Sequence, residues 1–441
     1  MKLSKDFQLK LGKFKKDKRA LISFTILFFL FMVTLPAELI CNVRPLLLVV
    51  DGKPYLPIFF NYSEKDFGGL FPREPDYKSA GFLRLLNGEN ESSLLPAILD
   101  DFEDEEAADS FDLTLDDFED EFSSKPQDET KSNTDKEQPF TLDLEDFDEI
   151  APSDSPSPVV ENKSGPAPKA KEYWMIWPPI RYDYKYIPTD SKTGRVALAS
   201  PAETIDLDTG EIIPSSWEDG HYLGTDDRGR DVLARLIYGF RISMIFGISL
   251  AIFGTILGCL IGGVQGFFGG KVDLIGQRFT EIWGSMPRLY ILIILSSFLV
   301  PSALILFLIL NLTAWMGIAA YIRAEFLKIR NLEYVKSAKA LGVSNFGIMR
   351  RHILPNALTP VITFFPFEIT AGILALVSLD YLNLGVPSPA PSMGELLAQG
   401  KNNLQAIWIL LPTFFVLTST ITLLTFIGEG IRNAFDPRKS A

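Results

Sequence analysis

Few residues in this 441-residue chain are spaced for bond-making chemistry. The two histidines, His221 and His352, lie far apart and H-E-x-x-H is absent, which excludes the helical zinc-hydrolase arrangement. The two cysteines, Cys41 and Cys259, make neither a C-x-x-C pair nor a disulfide framework. A nucleotide-phosphate loop needs G-x-x-x-x-G-K-[ST]; Gly12-Lys13, Gly52-Lys53, Gly270-Lys271 and Gly400-Lys401 all lack the closing Ser or Thr. His221 with Asp226, Asp227 and Asp231 is the densest group of metal-type ligands. Their order does not follow an EF-hand loop, and the run reads as a turn leading into an interfacial helix. No catalytic residue and no metal site is assigned.

One acid stands out. Glu368 falls about ten residues into an apolar run over 358–380, near mid-bilayer by helical rise. A charge there is costly unless it is paired or meets water. Glu368 reads equally as a cavity-lining acid and as a hydrogen-bonded packing residue.

The elements around these residues are legible from periodicity. Glu333 to Gly342 is a short helix pattern, with Asn331 as the expected N-cap and Gly342 at the left-handed position after the C-terminus. Tyr334, Ala338 and Leu341 share one face. Ser344 is expected to cap a second helix over 345–353 that stops before Pro355. Together they predict a compact helical knob. Gly254, Gly258, Gly262, Gly266 and Gly270 recur every fourth residue. Such a stripe lets a second helix backbone approach closely, as in ordinary bundle packing.

Hydropathy sets the wider frame. Hydrophobic residues make up 47% of the chain and mean hydropathy is +0.16, yet the formal net charge is −13. The conflict is local: between Leu99 and Asp154 there are 23 acidic and 3 basic residues, and the remainder is mildly basic. Apolar runs at about 20–35, 243–265, 280–300, 302–322, 358–380 and 406–428 each approach the ~20 residues needed to cross the hydrocarbon core. The first follows eight basic residues, Lys2 to Arg19. It reads as an uncleaved first transmembrane helix, 20–40, because a small-residue cleavage pattern is poor. The lysines at the start and the basic loop 323–357 place both termini in the cytoplasm and 41–240 outside. Within that outside region, 97–170 is rich in Asp, Glu, Ser, Pro and Lys and reads as disordered. Leu99-Asp-Asp-Phe-Glu-Asp-Glu105 recurs at Leu115–Glu121 and approximately at 144–149. The repeat reads as a solvated spacer or as acidic-aromatic docking motifs. Residues 172–240, rich in Trp, Pro and Tyr, suggest an interfacial lid.

With these motifs in place, a family resemblance emerges. Glu333 to Gly342 followed by Ile353-Leu354-Pro355-Asn356 resembles the EAA loop of binding-protein-dependent ABC importer permeases. His221-x-Leu-Gly-Thr-Asp-x-x-Gly-Arg-Asp-Val-Leu-x-Arg235, Gly239-x-Arg241-Ile-Ser243 and the ending Gly428 to Arg438 resemble the dipeptide/oligopeptide branch. Asp51 to Ile58, Trp174 to Arg181, Phe326 to Tyr334 and Gly394 to Leu404 resemble more closely the Yej-type permeases, linked to peptide and microcin C uptake. The acidic stretch 97–170 has no counterpart in this resemblance.

The resemblance implies an all-α membrane protein: a type I ABC importer bundle of six transmembrane helices over 20–40 and 241–430, with a large, partly disordered extracytoplasmic insertion and a tail over 431–441. It implies that Glu333, Tyr334, Ala338, Leu341, Gly342, Leu354 and Pro355 contact a separate cytoplasmic ATPase, which would carry ATP and magnesium; no cofactor is expected on this chain. A second permease subunit, a periplasmic peptide-binding protein and peptide cargo complete the expected partners, with no nucleic acid. Glu368 could then meet a peptide amine. The implied location is the bacterial inner membrane. An ion-driven secondary transporter would spread ionisable residues over several helices or show inverted repeats; Glu368 is the clearest such residue, and no repeat of that kind is visible.

Overall fold

The computed structural model describes residues 5–69, 72–87, 171–188, 196–205, 210, 212–298 and 302–435. The acidic insertion, with its repeats and expected disorder, lies outside the described residues. The chain divides into two compact units, one containing Met1–Val49, Lys53–Asn61 and Trp174–Ala441, the other Val50–Gly52 and Tyr62–Tyr173.

The first unit is a helical bundle. An amphipathic helix, α1 (Lys5–Lys16), leads into α2 (Lys18–Thr34), and Asp17 caps the latter by accepting from the Ala20 amide. Pro36 interrupts the chain before a single turn, α3 (Ala37–Ile40). Strands β1 (Leu47–Val50), β2 (Lys53–Tyr55) and β3 (Tyr173–Ile176) form a small sheet in the order β2-β1-β3. A two-stranded ribbon pairs β4 (Thr204–Ile205) antiparallel with β5 (Ile212–Ile213). In the second unit a 3-10 turn (Glu64–Phe67) and a helix, α4 (Ala80–Leu86), enclose an edge-to-face cluster of Phe67, Tyr77 and Phe82.

The long helices follow. They are α5 (Val232–Phe268), α6 (Gly270–Gly284), α7 (Arg288–Phe298), α8 (Ala303–Ile329), α9 (Glu333–Ala340), α10 (Asn345–Ile348), α11 (Leu354–Tyr381), α12 (Met393–Asn402) and α13 (Ile407–Phe435). Among the described residues, Val232–Phe268, Ala303–Ile329, Asn345–Tyr381 and Ile407–Phe435 are long and apolar enough to cross a membrane. α2 is apolar too, though only 17 residues long.

Two expected spans differ in detail. α5 begins eleven residues before the expected 243 because Asp231 caps it at its true start. The expected single helix over 280–300 is two helices, α6 and α7, broken near Pro287, which cannot donate to the ladder. α6 also carries Asp273, Arg278 and Glu281, which shorten its apolar part.

Helix packing fixes the direction of each element. α5 and α8 run side by side in the same sense, since a Cβ added at Gly254 would meet Ala314, at Gly258 Ile318, at Gly262 Ala319 and at Gly266 Phe326. At Gly258, Gly262 and Gly266 that atom would lie under 3.0 Å from its neighbours, so only glycine permits this approach. Gly270, expected in the same stripe, lies beyond the end of α5 and opens α6 with a φ of +53°. α11 runs back against α5, with Gly372 against Gly247. The start of α2 lies on the end of α13, where Ala20 faces Gly430. At the other end of α2, Glu38 pairs with Arg241 near the start of α5. One end of the bundle thus gathers the described chain ends and the segment 330–357; the opposite end gathers the start of α5, the end of α11 and α12.

Candidate functional site

The segment from α8 to α11 builds the knob that the sequence pattern predicts. α9 ends in a Schellman turn: the Val343 amide donates to the Ala338 carbonyl and the Gly342 amide to Lys339, both at 3.1 Å, with Gly342 at φ +81°. Nothing lies within 4 Å of a Cβ placed on Gly342, so backbone conformation, not crowding, demands glycine there. Ser344 caps α10 by accepting from the Gly347 amide at 3.2 Å.

Two local expectations are corrected. Asn331 does not cap α9; its side-chain amide donates back to the Leu327 carbonyl and so finishes α8, and Leu332 occupies the cap without a side-chain bond. The helix does not stop before Pro355. A π-helical stretch, Met349–Ile353, joins α10 to α11 and carries the helix on through Pro355, the second residue of α11. Val335 and Ala338 are buried, whereas Tyr334 is 43% and Leu341 84% exposed.

This offset separates what holds the knob from what it presents. Val335, Ala338, Ile348 and Ile353 pack with Ile322, Phe326 and Ile329 of α8 and Ala357 of α11, and half-buried Leu354 joins them. The Asn356 amide donates to the Tyr334 hydroxyl at 3.1 Å, tying α9 to α11. Arg330 donates to the carbonyls of Gly266 and Phe267, both at 3.2 Å, which fastens the last turn of α5 to the same base. Arg323 and Asp273 form a two-pronged ion pair beside it. Outward stand Glu333, Pro355, Leu341 and Phe346, the last 70% exposed. Phe346 was not singled out from sequence, although it lies two residues past the Ser344 cap.

Glu368 lines a cavity of about 220 Å³ between α5, α8 and α11, together with Gly254, Thr255, Thr313 and Gly372. The hydroxyl of Thr255 is buried there and has no hydrogen-bond partner among the described residues.

The opposite end of the bundle holds a buried ion cluster that sequence reading did not assemble. Asp226 accepts from the amides of Arg228 and Arg230 and pairs with the Arg230 guanidinium at 2.7 Å. Arg230 also reaches Glu395 of α12 at 3.1 Å, and Arg235 of α5 pairs with the second oxygen of Glu395. Asp231 caps α5 through the Ala234 amide at 2.7 Å and holds His221 Nδ1 at 2.9 Å. The Tyr182 ring stacks on His221 at 3.9 Å, and burial pushes the Tyr182 hydroxyl up to about 12. Burial, with Asp226 beside it, also raises the Asp227 carboxyl above the ordinary range. Each acid is engaged by Arg, His or backbone donors, so the run 221–235 serves as the turn that starts α5.

Comparison with known proteins decides the family. Residues 236–441 match the profile described as binding-protein-dependent transport system inner membrane component. The peptidoglycan transport system permease protein YejE of Agrobacterium fabrum is 38% identical over 97% of this chain and 92% of its own length. The chain belongs to this family of transport components. The inner membrane ABC transporter permease protein YejE of Escherichia coli is 35% identical, covering 100% of this chain and 99% of its own. The oligopeptide transport system permease protein OppC of Escherichia coli is 36% identical over 50% of this chain and 74% of its own. The OppC likeness covers half of this chain, whereas the YejE likeness spans nearly all of it. For a member of this binding-protein-dependent transport family, the paired arginines of the ion cluster anchor α5 and the knob closes the bundle at the other end.

Proposed function

We propose that this chain moves peptides, including fragments derived from peptidoglycan, through the inner membrane as one of two permease subunits of an ATP-driven importer. It is a transport subunit, not an enzyme, and ATP with its magnesium would be bound and hydrolysed by separate ATPase subunits. The observation that carries the reading is the knob: Leu341 and Phe346 stand exposed on a turn whose other side is locked into the core of α8 and α11. An apolar projection on a rigid base suits a groove on a partner that must push and pull. The knob lies at the same end as the described chain ends, in keeping with a cytoplasmic position for all three. A periplasmic binding protein would deliver cargo at the opposite end, and the Glu368 cavity would offer a carboxylate near mid-membrane to a passing ammonium group. The relatives' names support the cargo class: transport of peptidoglycan in one and of oligopeptides in another.

The test is Gly342→Asp. It puts a charge beside Leu341 where the partner groove is expected to be apolar, and it disturbs a left-handed turn. Membrane insertion should be normal, whereas capture of the ATPase and uptake of labelled peptide at matched membrane levels should both be lost. Normal capture and uptake would refute the assignment.

A further inference from the structure

A second, larger cavity than that of Glu368 is lined by neither the knob nor Glu368 itself. It is a groove of about 510 Å³ bounded by α1, α2, α5, α11 and α13, with walls that include Phe28, Ile248, Ile362, Phe365, Leu424 and Ile431. Among the described residues its charged lining is Lys10 and Lys15, both on α1. The arrangement is fixed from several sides. Lys10 Nζ lies 5.1 Å from the ring centre of Phe435, Phe14 approaches Gly430, and Ala20 abuts the same glycine. α1 is therefore seated across the ends of α2 and α13, with its lysines at the rim of an apolar slot.

We propose that this groove holds one acyl chain of an anionic glycerophospholipid, whose phosphate is paired with Lys10 and Lys15. The walls exclude a polar ligand, because any buried hydrogen-bonding group would lack partners. The slot is bounded by α5, α11 and α13, each long and apolar enough to cross a membrane, so lipid tails would be the apolar matter at hand to fill it. The two lysines select the headgroup: basic residues at the rim of a pocket between membrane helices attract anionic lipid, and α1 is an amphipathic basic helix of the kind that lies in the interface. Seated there, the lipid would join α1 and α2 to α11, the helix that continues from the knob.

The experiment is native mass spectrometry on the full chain, purified with the subunits that accompany it. It is titrated with phosphatidylglycerol or with phosphatidylcholine of the same acyl chains. One phosphatidylglycerol should be retained at concentrations where phosphatidylcholine is not. Lys10→Glu with Lys15→Glu should weaken retention by ~20-fold. Lys13→Glu with Lys16→Glu, on the same helix but outside the groove, should leave it unchanged. Ile362→Trp, which fills the slot, should weaken it without altering charge. In membranes, a photoreactive phenylalanine analogue at position 28 should yield a lipid adduct. Equal retention of both lipids, equal loss on reversing Lys13 and Lys16, or a cross-link from position 28 to the second permease subunit would overturn the proposal.

Discussion

Where α5 begins, Asp226, Arg230 and Arg235 are buried and pair with one another and with Glu395, although Arg235 Nε, 3.4 Å from Asp226, makes no hydrogen bond among the described residues; where α9 turns into α10, Leu341 and Phe346 stand in solvent. Both arrangements cost free energy in isolation, in opposite ways. The first takes charges out of water and recovers the cost through internal ion pairs, so it needs nothing from outside. The second leaves apolar area in water and recovers the cost only when another surface covers it. A self-contained cluster marks a structural tie, and an uncovered apolar projection marks a contact. The difference teaches that among the described residues charge density is a poor guide to function: the cluster of Asp226, Arg230, Arg235 and Glu395 is an internal fastening.

Four substitutions sharpen this contrast, ranked by their expected effect on stability in detergent. Arg235→Ala should have the largest, roughly 3–5 kcal/mol, because it removes a fully buried guanidinium from an ion cluster and leaves Arg230 alone to pair with both Asp226 and Glu395. A thermal melt should show it, and removing Glu395 as well should cost less than the sum of the two single changes. Gly262→Ala comes next. Its methyl would lie 2.3 Å from the Ala319 carbonyl oxygen, so the α5–α8 seam must open, at about 1–3 kcal/mol. Ser344→Ala removes the cap of α10 and should cost about 1 kcal/mol, read by the same melt. Leu341→Asp should change stability by no more than ~0.5 kcal/mol, because the side chain touches little. Capture of the ATPase by this last variant should nevertheless fail. If Leu341→Asp unfolds the bundle while Arg235→Ala leaves it intact, the two ends have been assigned the wrong way round.

The sequence pattern carried much of the knob and little of the ion cluster, for physical reasons. Gly342 was legible because a positive φ after a short helix has few solutions, and the Gly254–Gly266 stripe because its period equals a helical turn. Arg235 and Glu395 lie 160 residues apart, and no local pattern pairs residues across that distance. Pro355 was misread because the residues before it, Met349–Ile353, carry the helix on in a wider π-helical turn instead of ending it. That Val335 turns into the core beside Ala338 while Tyr334 stays 43% exposed was not legible, because both are apolar enough to face a core and tertiary packing made the choice. The expected span over 280–300 was divided by Pro287 and by charges on α6, a local break that an averaged hydropathy window smooths over.

The π-helical join between α10 and α11 has a mechanical consequence. With no break at Met349–Ile353, residues Asn345–Tyr381 form one continuous rod, about 55 Å long at the usual rise per residue. The knob is then the short arm of a lever whose long arm passes Glu368. Pro360 and Pro366 lie within that arm. Each frees a carbonyl one turn earlier, so bending would concentrate there as well as at the π-helical join. A pull at Leu341 would therefore reach the middle of the membrane chiefly as a change in the angle between two stiff half-rods.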